Sequence, residues 1–354
     1  MPPLEGIRVV ELAGSAPAAF AATILAGLGA DVVRIDRPSP GGEYEPSDPL
    51  ARGRRSVAAN LKDPADLAAV KTLLERADVF LEGFKPGFTE RYGLGPDAFA
   101  ETNPRLVYAR VTGWGQQGPW STRPGHDLSF LAVTGLLDGD RLPGAPPAPP
   151  STYLSSFAGG GLLQALGVLA ALQERHRSGL GQVVDAAMAD GAALLDLMVR
   201  QWREVPGRVT VTDAPFYSTY ACGDGAHVAV GAIEPHFYAE LVTGLGIDGP
   251  DLADRADEAQ WPRLREQIAA AFLTRPRDHW TTLFEEHEAC VFPVLTRTEA
   301  AAHEALAARA TFVDVAGHPQ PSPSPRFSRT PLPAPTPPPK PGLTPQAALL
   351  AWPS

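Results

Sequence analysis

The sequence predicts a doubly wound α/β domain followed by a smaller α+β domain. Strand-like apolar runs alternate with helix-like runs through roughly the first 190 residues, the arrangement that builds a mostly parallel sheet covered on both faces. After about residue 200 the texture changes, and two strand-like runs meet at Gly223-Asp224-Gly225, a hairpin-type turn. Eleven prolines then crowd residues 319 to 341 and forbid regular central structure there.

In chain order, Ile7 to Leu12 reads as a buried strand, and Ala13-Gly14-Ser15-Ala16-Pro17 turns into an Ala-rich helix ending near Gly29. Pro17 suits a first helical position and Gly29 the position just past a helix end. Asp31 to Asp36 is the second strand. Pro64 to Arg76 then reads as a helix, Val79 to Glu82 as a strand, Pro96 to Glu101 as a short helix and Leu106 to Thr112 as a strand. His126 to Leu137 has helical spacing, Arg141 to Pro150 is a proline-rich loop, and Phe157 to Glu174 is a long helix. Gln182 to Val184 is a strand leading into a helix from Asp185. In the second domain, strands are expected over Pro215 to Tyr220 and His227 to Val230. Helices are expected over Pro235 to Leu245, Glu258 to Leu273 and Arg277 to His287. From Pro319 an extended arm should lie over another surface, as arms in dimer contacts often do. The expected division is therefore a large domain over 1–190 completed by the arm 319–354, a linker helix region over 191–213, and a small domain over 214–318.

Composition narrows the function classes. A chain of 354 residues that is 44% hydrophobic and 20% charged reads as an ordinary globular protein, and a net charge of −10 argues against nucleic acid or anionic membrane partners. Cys222 and Cys290 have neither metal-ligand spacing nor the density of a secreted scaffold, which predicts a reducing, cytoplasmic setting and no metal site. The N-terminus reads directly into a strand, with no signal-like segment, and no spanning run of about 18 apolar residues is expected.

Chemistry concentrates between Gly125-His126-Asp127 and Phe157-Ala158-Gly159-Gly160-Gly161. Histidine titrates near neutrality, so His126 is the first candidate base. Gly159 and Gly160 open an apolar helical run, where free N–H groups at a helix start would meet an oxyanion. Ser156 sits where an N-cap belongs, and Asp127 either caps locally or joins the site. Gly113-Trp114-Gly115-Gln116-Gln117-Gly118 matches a dinucleotide fingerprint in letters only. Pro119 and Pro124 follow it, so no helix start faces a pyrophosphate, and a tight turn is the better reading.

A wider set of motifs resembles the family III CoA-transferase fold of CaiB/BaiF type, and within it the bacterial α-methylacyl-CoA racemases. The set comprises Leu4 to Glu11, Gly29 to Arg34, Thr112 to Gln116, Gly125 to Asp127, Gly181 to Met188, Gly231 to Pro235 and Pro325 to Thr330. The resemblance implies a large Rossmann-like domain holding CoA, a small domain, and an interlocked homodimer. It implies an acyl-CoA substrate deprotonated beside its thioester, with no cofactor beyond the CoA that the substrate carries. His126 supported by Glu234 would serve one face of the acidic carbon. The aspartate that serves the other face in the racemases, and carries acyl groups in the transferases, is Ser156 here. A serine hydroxyl is too weak an acid and base to replace a carboxylate near neutral pH, so altered, one-sided enolate chemistry is expected. Two alternatives stay open: a divergent biosynthetic enzyme on a CoA-independent substrate, and a non-catalytic acyl-CoA-binding homologue. For the CoA phosphates the candidates are Arg37, Arg54, Arg55, Lys85 and Arg91, with plain solvation the alternative for Arg54, Arg55 and Lys85. The resembling racemases have arginine at the Lys85 position, so a planar fork gives way to a point charge there.

Overall fold

The fold is described from a computed structural model, which covers residues 1–38, 48–139, 146–148, 153–198, 201, 211, 213–247, 255, 257–340 and 342–352. Most of the expected loop Arg141–Pro150, and most of the expected linker region beyond Met198, lie outside these described residues.

The chain divides into a large unit of Met1–Asp138, Pro149–Leu197 and Ala305–Ser354, and a smaller unit of Gly139–Ala148 and Met198–Glu304. The large unit is built on a six-stranded parallel sheet: β1 (Arg8–Leu12), β2 (Asp31–Asp36), β3 (Arg55–Ala58), β4 (Val79–Glu82), β5 (Val107–Thr112) and β6 (Val183–Ala187). Its order is β3-β2-β1-β4-β5-β6, the doubly wound arrangement. Successive residues point to opposite faces, so each strand feeds two cores. Val10, Val33, Phe80 and Tyr108 join Val70, Leu73 and Leu74 of α2 (Pro64–Glu75). Val9, Val32, Val79 and Val107 join Ala21, Ala22 and Leu25 of α1 (Ala16–Gly27), with Ala165 and Val168 of the long central helix.

That central helix differs from expectation. It starts at Leu154 as a π-helix over Leu154–Leu162 and continues as an α-helix, Leu163–Ser178. Its most apolar window reaches a mean hydropathy of 1.5, so one segment does have the length and composition to cross a bilayer. In this fold it is the helix packed under the sheet, and in its last turn Arg175 donates to Asp78 Oδ1 at 2.9 Å.

Between β5 and that helix lie α3 (Asp127–Thr134) and α4 (Leu136–Gly139), split at Gly135, whose φ of +86° ends the expected single helix. α5 (Met188–Leu195) follows β6. The region after residue 305 holds more regular structure than its prolines suggest. Phe312–Val315 and His318–Pro321 form a two-stranded antiparallel ribbon. A helix over Pro345–Ala351 follows, capped by the Thr344 hydroxyl and carrying proline in its first turn. Trp352 is buried behind it, its indole N–H donating to Asp31 Oδ2 at 2.7 Å. The arm thus packs on the large unit of its own chain.

The smaller unit has a three-stranded antiparallel sheet of Tyr217–Ala221, His227–Gly231 and Val291–Pro293. Helices Pro235–Leu245, Trp261–Phe272 and Arg277–Glu285 cover it with a core of Phe216, Trp261, Phe272, Trp280 and Phe284.

Candidate functional site

In a doubly wound sheet the chain leaves neighbouring strands in opposite directions at one point, and a crevice opens there beyond their carboxyl ends. Here that point lies between β1 and β4. The turn after β1 and the loop after β4 approach very closely: a Cβ on Gly83 would sit 2.3 Å from Ser15 Oγ, and one on Gly14, whose φ is +143°, would enter the Phe84 ring. Glycine is required at both positions. Beside them opens a cleft of about 430 Å³ lined by Ala13, Asp36, Arg37, Asn60, Lys62, Phe84, Phe88 and Tyr92 among others.

The aromatic wall of this cleft is held from beneath. Phe84 and Phe88 stack at 4.1 Å, and Arg91 lies over the Phe88 ring at 5.4 Å. Their loop is fixed at both ends by Arg110 on β5, whose Nε donates to Glu82 Oε1 at 2.6 Å and whose terminal nitrogen donates to Glu90 Oε1 at 2.8 Å. The second oxygen of Glu82 accepts the Phe84 N–H at 2.7 Å. Tyr108 adds a further tie, its hydroxyl donating to the Leu94 carbonyl at 2.7 Å and meeting the Thr89 hydroxyl at 3.0 Å. Burial pushes the Glu82 carboxyl above its ordinary range against the Phe84 N–H and the pull of Arg110, while at Glu90 burial is opposed by the hydrogen bond and charge of Arg110 together with the backbone and Thr89 hydrogen bonds, whose sum lowers it.

The expected phosphate-binding residues separate into two groups. Arg37, at the end of β2, is exposed and lines the cleft. The neighbouring acid, Asp36, is occupied by the Arg34 guanidinium at 2.9 Å and the Ser56 hydroxyl at 2.7 Å. Arg91 is exposed and reaches the cleft through Phe88, and Lys85 is exposed on the same loop but does not line the cleft. Arg54 and Arg55 are committed elsewhere, which corrects their reading as a phosphate-binding pair. Arg54 is buried, with Nε 3.1 Å from Glu11 Oε2 and further donation to Thr23 Oγ1 at 2.6 Å and to the carbonyls of Leu50 and Ala19. Arg55 grips both oxygens of Asp31 at 2.7 Å and faces the Trp352 ring at 5.6 Å. Sequence reasoning missed Lys62 and Asn60, which sit after β3 and face the cleft opposite the aromatics. Position was the available signal, since residues just beyond a parallel strand's carboxyl end are where ligands lie.

His126 is exposed at the N-cap of α3, in extended backbone. Its neighbour Asp127 ties α3 to the π-helix. Asp127 Oδ1 accepts the Ser155 hydroxyl at 2.8 Å and the Ser156 N–H at 2.7 Å. Ser156, half-buried, therefore stands within the first turn of the π-helix rather than at its cap, which Tyr153 occupies with a φ of +67°. The glycine run lies further in, so no helix start is presented there. A Cβ on Gly159 would be 3.0 Å from the Ala192 nitrogen, one on Gly160 2.9 Å from Met188 Cγ, and one on Gly161 2.5 Å from the Pro17 carbonyl. These glycines let the central helix pack backbone to backbone against α1 and α5. A π-bulge of this kind, spending a residue to re-aim side chains, is a frequent mark of functional sites.

Glu234 belongs to the smaller unit, where it is the exposed residue before Pro235 at a helix start. Burial and then the Glu234 charge raise the pKa of the nearby Cys290 thiol. The Gly113–Gly118 run is a turn: Gly115 has φ +80°, and the Gln116 N–H donates to Asp185 Oδ2 at 2.8 Å. Among the described residues no group of three or more His, Cys, Asp or Glu side chains could hold a metal ion.

The fold and the cleft define a doubly wound α/β protein whose switch-point crevice is walled by stacked aromatics and exposed cations. The sequence profile of CoA-transferase family III matches residues 4–344, and the chain belongs to that family. It is 42% identical over 332 residues to alpha-methylacyl-CoA racemase of Homo sapiens, covering 90% of this chain and 86% of that protein. With the same racemase of Mus musculus it shares 42% identity over 317 residues, 88% of this chain and 82% of the other. The crystal structure of Rv3272 from M. tuberculosis matches with a TM-score of 0.77 at 26% identity, covering 98% of this chain and 99% of that one.

Proposed function

We propose that the protein binds a 2-methylacyl-CoA and carries out proton abstraction and return at its α-carbon, as a racemase-like isomerase. The observation that carries this reading is the 42% identity, over nearly the whole chain, to proteins named alpha-methylacyl-CoA racemase. The switch-point cleft supports it, since CoA needs cations for its phosphates and an aromatic wall for its base. Arg37, Lys62 and Arg91 are the cations free for that task.

In this reading His126 takes the α-proton. The N–H groups of Asp127 and Leu128, the first two of α3, stand at the helix start and can stabilise the enolate oxygen, while the Ser129 N–H is taken by the His126 carbonyl at 2.8 Å. Glu234 orients or charges the imidazole in the assembled enzyme, a homodimer. The opposite face lacks a carboxylate at Ser156, so proton return is one-sided, and exchange at the α-carbon outruns inversion. Losing a positioned acid–base group slows a step by roughly 10²–10⁴-fold.

Incubation of 2-methylacyl-CoA in deuterated water tests this. α-Deuteration is expected with the wild type and lost in His126→Ala, and Ser156→Asp should raise inversion relative to exchange. No exchange on any 2-methylacyl-CoA would defeat the proposal, and an unmoved ratio in Ser156→Asp would defeat the role given to that position. Sedimentation of the full chain checks the dimer.

A further inference from the structure

A second cavity lies at the opposite edge of the parallel sheet from the cleft, at the amino ends of the strands. It measures about 290 Å³, between Thr23, Ala26 and Gly27 of α1, the Pro2–Glu5 segment, and the arm at Pro323 and Pro333–Thr336. Arg52 lines it. That side chain is only 8% exposed, and its one partner among the described residues is Gln320, whose Oε1 accepts from a terminal nitrogen at 2.9 Å.

Every other strongly buried arginine described above is answered by a carboxylate: Arg54 by Glu11, Arg110 by Glu82 and Glu90, Arg175 by Asp78. Among the described residues Arg52 makes no ion pair. Glu5, the acid in the lining, is exposed and forms none with it. Burial and the adjacent Arg54 charge lower the Arg52 pKa, the mark of a cation surrounded by no compensating charge. A guanidinium has five N–H donors, and an uncompensated buried cation is costly. The walls are already built, because the arm is tied on both sides, by Arg52 to Gln320 and by the Gly53 N–H to the Thr336 carbonyl at 3.2 Å.

We propose that this cavity is a binding site for a small anion, a carboxylate or phosphate on a compact apolar body, gripped by the free donors of Arg52. Occupancy joins α1, the loop before β3 and the arm, and so stabilises the large unit without touching the cleft.

Thermal unfolding of the full chain tests it, with CoA present throughout to occupy the cleft. Sodium phosphate and, separately, sodium butyrate are titrated against sodium chloride at matched ionic strength. A saturable rise of about 3 °C beyond chloride is expected, the scale of a ligand well above its dissociation constant. The stronger of the two arms identifies the head group. Arg52→Gln should lose the rise. Ala26→Leu, which fills the cavity from the helix side and leaves Arg52 in place, should lose it as well and guards against a folding defect in the first variant. No rise beyond chloride in the wild type, or a rise retained in both variants, overturns the proposal. So does a change in sedimentation mass in Arg52→Gln with the rise intact, which would make Arg52 a contact for a second copy of the chain.

Discussion

Arg37 and Lys62 look, in the sequence, much like Arg54 and Arg110, yet the two pairs end in opposite surroundings. The first pair faces the switch-point cleft and makes no ion pair among the described residues. The second pair lies inside the large unit, closed against Glu11 in one case and Glu82 with Glu90 in the other. A cation already neutralised and desolvated has nothing left to offer a phosphate, whereas a solvated one can exchange water for it at little cost. Stability and binding are thus assigned to different arginines, and single substitutions should separate them.

The largest effect should come from Arg54→Ala. It leaves the buried Glu11 with Arg34 as its remaining cation and takes a donor from the Ala19 and Leu50 carbonyls, and full-chain urea denaturation should show a loss of about 3 kcal/mol with CoA affinity per folded molecule unchanged. The reverse outcome is expected of the double variant Arg37→Ala with Lys62→Ala. Its stability should stay within about 0.5 kcal/mol of the wild type, while calorimetric CoA affinity falls about 10–100-fold, the equivalent of about 1.4–2.8 kcal/mol. Arg110→Lys falls between the two classes. A point charge cannot span Glu82 and Glu90 together, so the aromatic wall loosens, and CoA affinity should drop several-fold alongside a stability loss of about 1 kcal/mol. If Arg110→Lys weakened binding of a pantetheine thioester as much as of a CoA thioester, the wall would not be serving the nucleotide.

The smallest effect belongs to an exposed pair in the other unit. Hydrogen bonds from Arg277 and from the N–H and hydroxyl of Thr296 lower Glu299 to about 2. The folded state then binds fewer protons than the unfolded chain between its ordinary pKa of about 4.3 and about 2. Its contribution is present above that window and is lost as pH falls through it. Glu299→Gln should flatten this part of the pH–stability curve, with a small loss at neutral pH that vanishes as pH falls to about 2 and the variant and wild type converge.

Much of this fold was legible because strongly patterned elements leave few options. The strands at Asp31–Asp36 and Val79–Glu82 and the helix Pro235–Leu245 have the expected limits. The strand Arg55–Ala58 escaped because its first residue reads as half of a basic pair, and the strand Val291–Pro293 because three residues carry no periodicity. The glycine run misled for a physical reason: glycine before an apolar run signals a helix start as readily as it signals close packing, and only the neighbouring backbone of Pro17 and Ala192 tells the two apart. A π-helix has no sequence rule to announce it. The C-terminal helix did carry its signals, a Thr344 cap and Pro345 in the first turn, but a dozen residues of proline-rich chain before it dominated the reading. Of the cleft, Arg37 was read from its position after a strand, while Lys62 became visible once the order of the sheet placed it beside the crevice.

The packing of Trp352 against Asp31 has a consequence for how the protein is made. The edge strand β3 takes its outer partner, at Val57, from Leu343, and the helix after it covers α2. A ribosome completes those residues nearly three hundred positions after β3 has emerged. During that interval the sheet's margin is open and can pair with a neighbouring nascent chain, so a stretch translated long after the strand is the one that seals the large unit against misassembly.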